Sequence, residues 1–139
     1  MRSRACSSRC GEVRALAMRS FAGLMTLVFT FAAAVQWNDP DPLAWVAFYL
    51  ALAASGLGCA LGREWRGLER AVALVAALVV LWLAPALTDA RREAVSSFRM
   101  KSPEDEVVRE LGGAALGLAW TGVLLASRRR ARPSPPVAG

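Results

Sequence analysis

The chain has 139 residues, of which 55% are hydrophobic and 20% charged, and its formal net charge is +6. This length suits one compact unit. Histidine is absent, which excludes an imidazole base for a serine or cysteine nucleophile and a histidine ligand for zinc or haem. Cys6 and Cys10 form a C-x-x-x-C pair and Cys59 lies in an apolar run, so the redox C-x-x-C spacing is also missing. We therefore expect no resident metal, no cofactor and no catalytic residues of these types.

Four stretches without any charged residue dominate the chain. They cover residues 20–37, 42–62, 71–88 and 111–127, and their lengths are 18, 21, 18 and 17 residues. A helix of 18 residues is about 27 Å long, close to the roughly 30 Å of a bilayer's hydrocarbon core. A soluble bundle would instead show a polar stripe every three or four residues. The pattern predicts an all-α integral membrane bundle of four transmembrane helices.

The fourth helix is predicted to begin before its apolar run. Ser102 and Pro103, followed by two acids, have the residue types of a helix start, because serine caps, proline fits the first position and acids favour the positive helix end. The predicted helices thus cover residues 20–37, 42–62, 71–88 and 103–127.

Basic residues indicate how the bundle is oriented. Twelve of the seventeen lie before the first helix, between the second and third, or after the fourth: Arg2, Arg4, Arg9, Arg14, Arg19, Arg63, Arg66, Arg70, Arg128, Arg129, Arg130 and Arg132. The positive-inside rule then places both termini in the cytoplasm. This topology explains the high isoelectric point, so the charge requires no nucleic-acid partner, and the lipid bilayer is the expected partner. Because arginine greatly outnumbers lysine, as in GC-rich genomes, we expect a bacterial cytoplasmic (inner) membrane.

The two ends differ in composition from the predicted bundle of residues 18–127. Residues 1–17 are expected to be a disordered basic arm, and Met18 is an alternative natural start. Residues 128–139 are expected to be a basic, proline-rich cytoplasmic tail. A second alternative is a signal peptide cleaved after Ala32-Ala33-Ala34, which would leave three helices.

A polar hairpin separates the first two apolar runs. Asp41 and Pro42 fit the cap and first position of the second helix, and Asp39-Pro40 rigidifies the turn before it. Trp37 and Trp45 are spaced to lie in the outer headgroup region. Turn formation alone accounts for most of this segment, yet Gln36, Asn38 and Asp39 add more polar groups than a turn requires.

A second polar group opens the fourth helix. Glu106, Arg109 and Glu110 lie at i, i+3 and i+4 and therefore share one face. The predicted topology puts this face and the hairpin on the same, outer side. We call the combined set the outer polar cluster: Gln36, Asn38, Asp39, Asp41, Glu106, Arg109 and Glu110. Three interpretations stay open: a structural ion-pair network around Arg109, a site for a ligand or a hard cation, and acid–base catalysis.

Small residues indicate where helices approach each other. Gly113 and Gly117 form a G-x-x-x-G pair, and the second helix offers Ala51, Ser55 and Cys59, or Ala54 and Gly58, at the same spacing. The apolar runs carry no charge, which argues against a proton relay or an ion path. Without charges or broken helices there is no midplane transport site, unless the protein forms an oligomer.

Two motifs make the chain similar to a known family. The run Gln36-Trp37-Asn38-Asp39-Pro40-Asp41-Pro42, followed by Trp45 and Tyr49, resembles the Q-x-N-D-P-D-x-x-x-W-x-x-x-Y signature of the transmembrane protein 220 family. Arg109-Glu110-Leu111 with Gly113 resembles that family's R-E-x-x-G helix start, although Ala114 replaces its usual leucine. The resemblance covers about residues 18–127. It implies a multi-helix membrane protein and supplies no cofactor and no catalytic residues.

These observations favour a non-enzymatic binding or accessory protein. The outer polar cluster would engage a lipid headgroup, a cation or a membrane-protein partner. One alternative is a membrane enzyme that uses Asp39 and Glu106 or Glu110 on a lipid-like substrate. The other is a purely structural membrane subunit, in which the same residues serve stability alone.

Overall fold

The computed structural model describes the backbone of residues 3–38, 42–63, 65–85 and 103–130, and the side chains of residues 11–37, 42–63, 65–85 and 107–129. It contains four helices, α1 (Ser3–Val35), α2 (Pro42–Ala60), α3 (Arg66–Leu83) and α4 (Pro103–Arg130), and a 3₁₀ turn at Gln36–Asn38. The described residues include no strand. The all-α prediction is confirmed, and α2 and α4 begin at the predicted prolines.

Three of the helices are long and apolar enough to cross a membrane: Gly11–Val35, Pro42–Ala60 and Val107–Arg129. The third helix, α3, is not among them because Arg66, Glu69 and Arg70 lie within its first five residues. Residues 71–83 then leave only 13 uncharged positions, or about 20 Å of helix. α3 begins five residues before the predicted residue 71, and the predicted segment 86–88 lies outside the described residues.

The ends of α1 and α4 differ from the expectation of disordered termini. α1 begins at Ser3, so residues 3–17 are helical and the predicted disordered arm is wrong for them. No proline interrupts this segment, and alanine, arginine, leucine and methionine have high helix propensity, so a helix nucleated in the apolar run extends through it. α4 likewise continues to Arg130, whereas the predicted tail began at residue 128. Residues 131–139 lie outside the described part.

The chain divides into two compact units, Met1–Leu68 and Glu69–Gly139. In the first unit, α1 and α2 form a helical hairpin with one buried stripe on each helix. The buried residues recur every three or four positions, as a helix face requires: Ala22, Met25, Phe29 and Ala33 on α1, continued by Gln36 of the 3₁₀ turn, and Trp45, Tyr49, Leu52, Ala53 and Gly56 on α2.

Aromatic side chains fill the part of this hairpin nearest the turn. The Phe29 and Tyr49 rings are stacked with centroids 6.3 Å apart, and Trp45 lies 6.1 Å from Tyr49 and 6.0 Å from Phe48. Trp45 is only 8% exposed, whereas Trp37 is 69% exposed. Trp45 thus packs in the core of the hairpin, because its position on α2 belongs to the buried stripe, and its predicted level in the outer headgroup region stays a prediction.

A hydrogen bond also joins α1 to α2. The Thr26 hydroxyl donates to the Ala22 carbonyl at 2.9 Å in its own helix and reaches the Ala53 carbonyl of α2 at 3.4 Å. Sharing one hydroxyl between two backbone carbonyls requires the two helices to lie close together. This contact fixes the level at which the apolar stripes meet.

α2 ends in a turn that glycine makes possible. Gly62 has a φ of +72°, the Gly62 amide donates to the Cys59 carbonyl at 3.0 Å, and the Arg63 amide donates to the Gly58 carbonyl at 2.7 Å. This is a Schellman motif with glycine at the left-handed position after the helix. Trp65 then folds back on Gly58, where an added Cβ would lie 3.1 Å from its ring.

The second unit has buried stripes on α3 and α4. The α3 stripe runs from Glu69 through Val72 and Ala76 to Leu83. The α4 stripe runs through Leu111, Ala114, Gly117, Trp120, Thr121 and Leu124. Thr121 is fully buried and donates to the Gly117 carbonyl at 2.9 Å. Gly117 is buried and Gly113 half-buried, so the predicted G-x-x-x-G pair lies along this stripe, while its role in close helix packing stays a prediction.

Candidate functional site

The hairpin signature separates into a buried part and a polar part. Gln36, Trp45 and Tyr49 are 5%, 8% and 6% exposed, so all three belong to the core of the α1–α2 hairpin. Gln36 lies in the 3₁₀ turn, where it continues the α1 stripe by one position after Ala33. The signature's glutamine and two aromatic residues therefore contribute to the core of the hairpin, and the predicted part of Gln36 in ligand binding stays a prediction.

The polar members between them fall mostly outside the described region. The structure gives the backbone of Asn38 at the end of the 3₁₀ turn but not its side chain, and Asp39 and Asp41 lie outside the described residues. The same holds for the side chain of Glu106. The predicted interactions of these four residues stay predictions.

Arg109 and Glu110 lie in the second turn of α4. Arg109 is exposed and Glu110 half-buried, and each takes part in at least one interaction. Gln36 belongs to the first compact unit, while Arg109 and Glu110 belong to the second. The meeting of hairpin and α4 that defines the outer polar cluster thus stays a prediction.

The cation interpretation also stays a prediction. Among the residues that the structure describes, no group of three or more histidine, cysteine or acidic side chains could hold a metal ion. Asp39, Asp41 and the Glu106 carboxylate are not among those residues. They are the hard oxygen donors on which a calcium or magnesium site would depend.

A buried ion pair in the described part is one that sequence reasoning missed. The Arg128 Nη2 atom of α4 donates to the Glu69 Oε1 atom of α3 at 2.5 Å. The Glu69 side chain is 1% exposed and the Arg128 side chain 13% exposed. The second oxygen, Glu69 Oε2, is buried and has no hydrogen-bond partner among the described residues. Two opposite charges are thus enclosed where the start of α3 meets the end of α4.

Helix periodicity explains why both charges are buried. Glu69 precedes Val72 by three residues and Ala76 by seven, so it lies on the buried stripe of α3. Arg128 follows Leu124 by four residues, so it continues the stripe of α4. The sequence prediction ended each helix at its first charged residue, so it assigned Glu69 and Arg128 to the connections. If the helical spacing had been followed past that charge, it would have placed both residues on the buried stripes.

This ion pair adds little net stability to the folded protein, but separating its two charges is costly. At an effective dielectric constant of 20, two unit charges 4 Å apart attract by about 4 kcal/mol. Removing each ion from water costs several kcal/mol, so the two contributions nearly cancel. Loss of Arg128, however, leaves the Glu69 carboxylate, whose side chain is only 1% exposed, buried without its charge partner, at a cost of about 3–5 kcal/mol.

Fold and composition together define the class of this protein. It is an all-α integral membrane protein whose long apolar helices carry their charged residues towards the helix ends and in the connections. Residues 28–126 match the family model described as "Transmembrane family 220, helix", and the chain belongs to that family. The resemblance read from the two sequence motifs is confirmed. No curated protein and no solved structure matches the chain.

The matched region shows which features fall within the family model. It begins in α1 and ends two residues before Arg128, so it includes the hairpin signature, the start of α4 and Glu69. Arg128, the partner of Glu69, lies outside it. The family match identifies a membrane protein and leaves the role of the polar residues to the physical chemistry of the chain itself.

Proposed function

We propose that the chain is a non-enzymatic binding or accessory protein of the membrane, with the outer polar cluster as its binding face. One observation carries this proposal: Gln36, Trp45 and Tyr49 are buried in the α1–α2 core. They fix the two helix ends that residues 38–41 connect. The polar residues of that connection are then available to a lipid headgroup, a cation or a membrane partner.

The proposal includes a topology with four membrane spans and both termini in the cytoplasm. In the first unit, the turn after α2 has Arg63 next to Gly62, whose Cα faces the Arg19 guanidinium. Arg66, the first residue of α3, also belongs to the first unit, while Arg70 of α3 and the three arginines at the end of α4 belong to the second. Each of these basic helix ends is cytoplasmic under the positive-inside rule. In this proposal α3 belongs to the third span, predicted for residues 71–88, and the membrane is a bacterial cytoplasmic membrane.

A thermal-unfolding screen tests the binding role. The purified protein in nanodiscs is heated with calcium or magnesium, with phospholipids of different headgroups, or with quinones. The Asp39→Asn and Glu110→Gln variants are heated beside it, and Glu12→Gln serves as the matched control because Glu12 is an exposed residue of α1. We expect one ligand to raise the midpoint of the parent and of Glu12→Gln but of neither cluster variant.

The rival functions give different results in the same samples. If no ligand or candidate partner protein shifts the parent and both cluster variants melt earlier, the cluster is structural and the proposal is wrong. Conversion of a lipid by the parent, lost in Glu110→Gln without loss of folding, would establish an enzyme instead. Binding without turnover is the result that supports the proposal.

A further inference from the structure

We propose that the turn after α2 is a binding site for an anionic phospholipid, in which Arg19 of α1 holds the lipid phosphate. The Arg19 guanidinium lies against Gly62, two residues beyond the apolar span Pro42–Ala60. This is the level at which the headgroups of a bilayer begin. Among the residues that the structure describes, the exposed Arg19 side chain makes no hydrogen bond and no ion pair. Its N–H donors are therefore available to an anion.

Two glycines give this end of the α1–α2 hairpin its shape. A Cβ on Gly62 would collide with the Arg19 guanidinium, and a Cβ on Gly58 would lie 3.1 Å from the Trp65 ring. Each glycine thus leaves room for a long side chain to approach the backbone. As a result, a guanidinium and a partly exposed indole ring both lie next to the end of α2.

A cation together with a tryptophan favours a phospholipid over a soluble anion. Arginine binds phosphate through two parallel N–H donors, and tryptophan is enriched at the level of the headgroups. Leu57 and Leu61 near the same helix end are exposed apolar residues, along which acyl chains can pack. A soluble phosphate would use the guanidinium alone.

The charges around the turn favour a lipid with a net negative charge. Arg63 and Arg66 are close in sequence, and each takes part in an interaction of its own. Of the nearby acids, Glu64 lies outside the described residues, and Glu12 precedes Arg19 by seven residues, or about 10 Å of helix. The excess of arginines makes the local potential positive, which attracts anionic lipids. A zwitterionic headgroup gains less, because its own cation is repelled.

This site is separate from the outer polar cluster. It lies at the opposite end of α2 from residues 38–41, and all of its residues belong to the compact unit Met1–Leu68. The proposal is therefore independent of the proposed function. Under the proposed topology the lipid belongs to the cytoplasmic leaflet, but the geometry of the site is the same for either orientation.

Native mass spectrometry of the detergent-solubilised protein measures lipid binding directly. The protein is titrated with phosphatidylglycerol, with phosphatidylcholine or with inorganic phosphate at about 0.15 M salt, where exposed charges more than about 8 Å apart are largely screened. Thermal midpoints without added lipid show whether each variant is folded.

Four variants separate a fixed site from a general attraction of charge. Arg19→Gln removes the group that would hold the phosphate, and Arg14→Gln is the matched control, because Arg14 is another exposed arginine of α1. Gly62→Ala keeps every charge but displaces the Arg19 guanidinium. Arg19→Lys keeps the charge and loses the planar pair of donors.

We expect the parent to bind phosphatidylglycerol more tightly than phosphatidylcholine and to bind no inorganic phosphate. Arg19→Gln should weaken phosphatidylglycerol binding by roughly fivefold or more, because one arginine at a membrane surface contributes about 1 kcal/mol. Gly62→Ala and Arg19→Lys should weaken it roughly threefold, because the paired donors are displaced or lost. Arg14→Gln should change it by less than about twofold, because screening limits its reach.

Three results would overturn the proposal. One is an equal loss in Arg19→Gln and Arg14→Gln, because general surface charge would then be sufficient. Another is a folded Gly62→Ala variant that binds phosphatidylglycerol like the parent, because the position of the guanidinium would then have no effect. The third is binding of inorganic phosphate that depends on Arg19, which would show a site for a soluble anion. Should Arg19→Gln not fold, Arg19→Lys takes its place, and parent-like binding by that variant contradicts the proposal.

Discussion

Gly56 of α2 faces Thr26 of α1 so closely that the two helices have no room for a further carbon atom. A Cβ on Gly56 would lie 2.7 Å from the Thr26 hydroxyl oxygen and 3.1 Å from the Ala22 carbonyl oxygen. The same hydroxyl donates to the Ala22 carbonyl and reaches the Ala53 carbonyl of α2. Gly56 is therefore the position at which the α1–α2 hairpin depends on having no side chain.

Gly56→Ala is expected to destabilise the protein. Overpacking a close contact costs about 1–3 kcal/mol, and the gain in helix propensity from alanine returns about 1 kcal/mol. We expect a net loss of up to about 2 kcal/mol in the free energy of unfolding, measured by denaturant titration in detergent. Gly23→Ala is the control, because an added Cβ on Gly23 meets nothing within 4 Å. Equal stability of the two variants would show that α1 and α2 separate easily.

Gly62→Ala tests the turn after α2. Its φ of +72° costs an L-residue about 1 kcal/mol, and an added Cβ would also collide with the Arg19 guanidinium. Arginine is flexible and can move aside, so we expect the backbone term to dominate and the loss to be about 1 kcal/mol. Gly67→Ala in the first turn of α3, where an added Cβ has open space, should cause no loss.

The source of that loss can be identified by adding Arg19→Ala to Gly62→Ala. If the backbone conformation dominates, Gly62→Ala lowers the free energy of unfolding by the same amount in the Arg19→Ala background as in the parent. Full recovery on removing Arg19 would show instead that the collision with its side chain is the cause.

Phe29 and Phe31 make a matched pair for the aromatic core. Phe29 is 1% exposed and stacks on Tyr49, whereas Phe31, two residues on, is 72% exposed. Phe29→Ala leaves a cavity among packed side chains, and we expect a loss of about 2–4 kcal/mol, somewhat below the soluble-protein range because lipid replaces water outside. Phe31→Ala should change the free energy of unfolding by less than about 0.5 kcal/mol. A similar loss for both would mean that Phe31 also has a protein neighbour.

The sequence was sufficient to predict the features that depend on local chemistry. Three of the four uncharged runs coincide with helices that are long and apolar enough to cross a membrane. The residue types around Pro42 and Pro103 predicted where α2 and α4 begin. A proline at the first position and an acid or serine before it act within one turn of helix. Such signals do not depend on the rest of the fold.

Features that depend on a distant partner were missed. Glu69 and Arg128 are 59 positions apart, and nothing near either residue shows that it is paired. The same limit applies to Gly56, because the small residues of α2 offered two other sets at the expected spacing and only the position of Thr26 on α1 decides between them. The ring contacts of Trp45 with Phe48 and Tyr49 were likewise not predicted, because its spacing from Trp37 was interpreted as that of a headgroup residue and not as part of the helical stripe.

Membrane orientation gives the last prediction. Trp37 and Arg63 are exposed residues just beyond the two ends of α2, which is long and apolar enough to span the membrane. Under the proposed topology Trp37 is outside and Arg63 is cytoplasmic, because the connection after α2 carries the arginines.

The Trp37→Cys and Arg63→Cys variants are made after Cys6, Cys10 and Cys59 are changed to serine, and intact bacterial cells are treated with a thiol reagent that cannot cross the membrane. We expect labelling at position 37 before permeabilisation and at position 63 only after it. The reverse order would invert the orientation and put the outer polar cluster in the cytoplasm, whereas labelling of both positions in intact cells would show that α2 does not span.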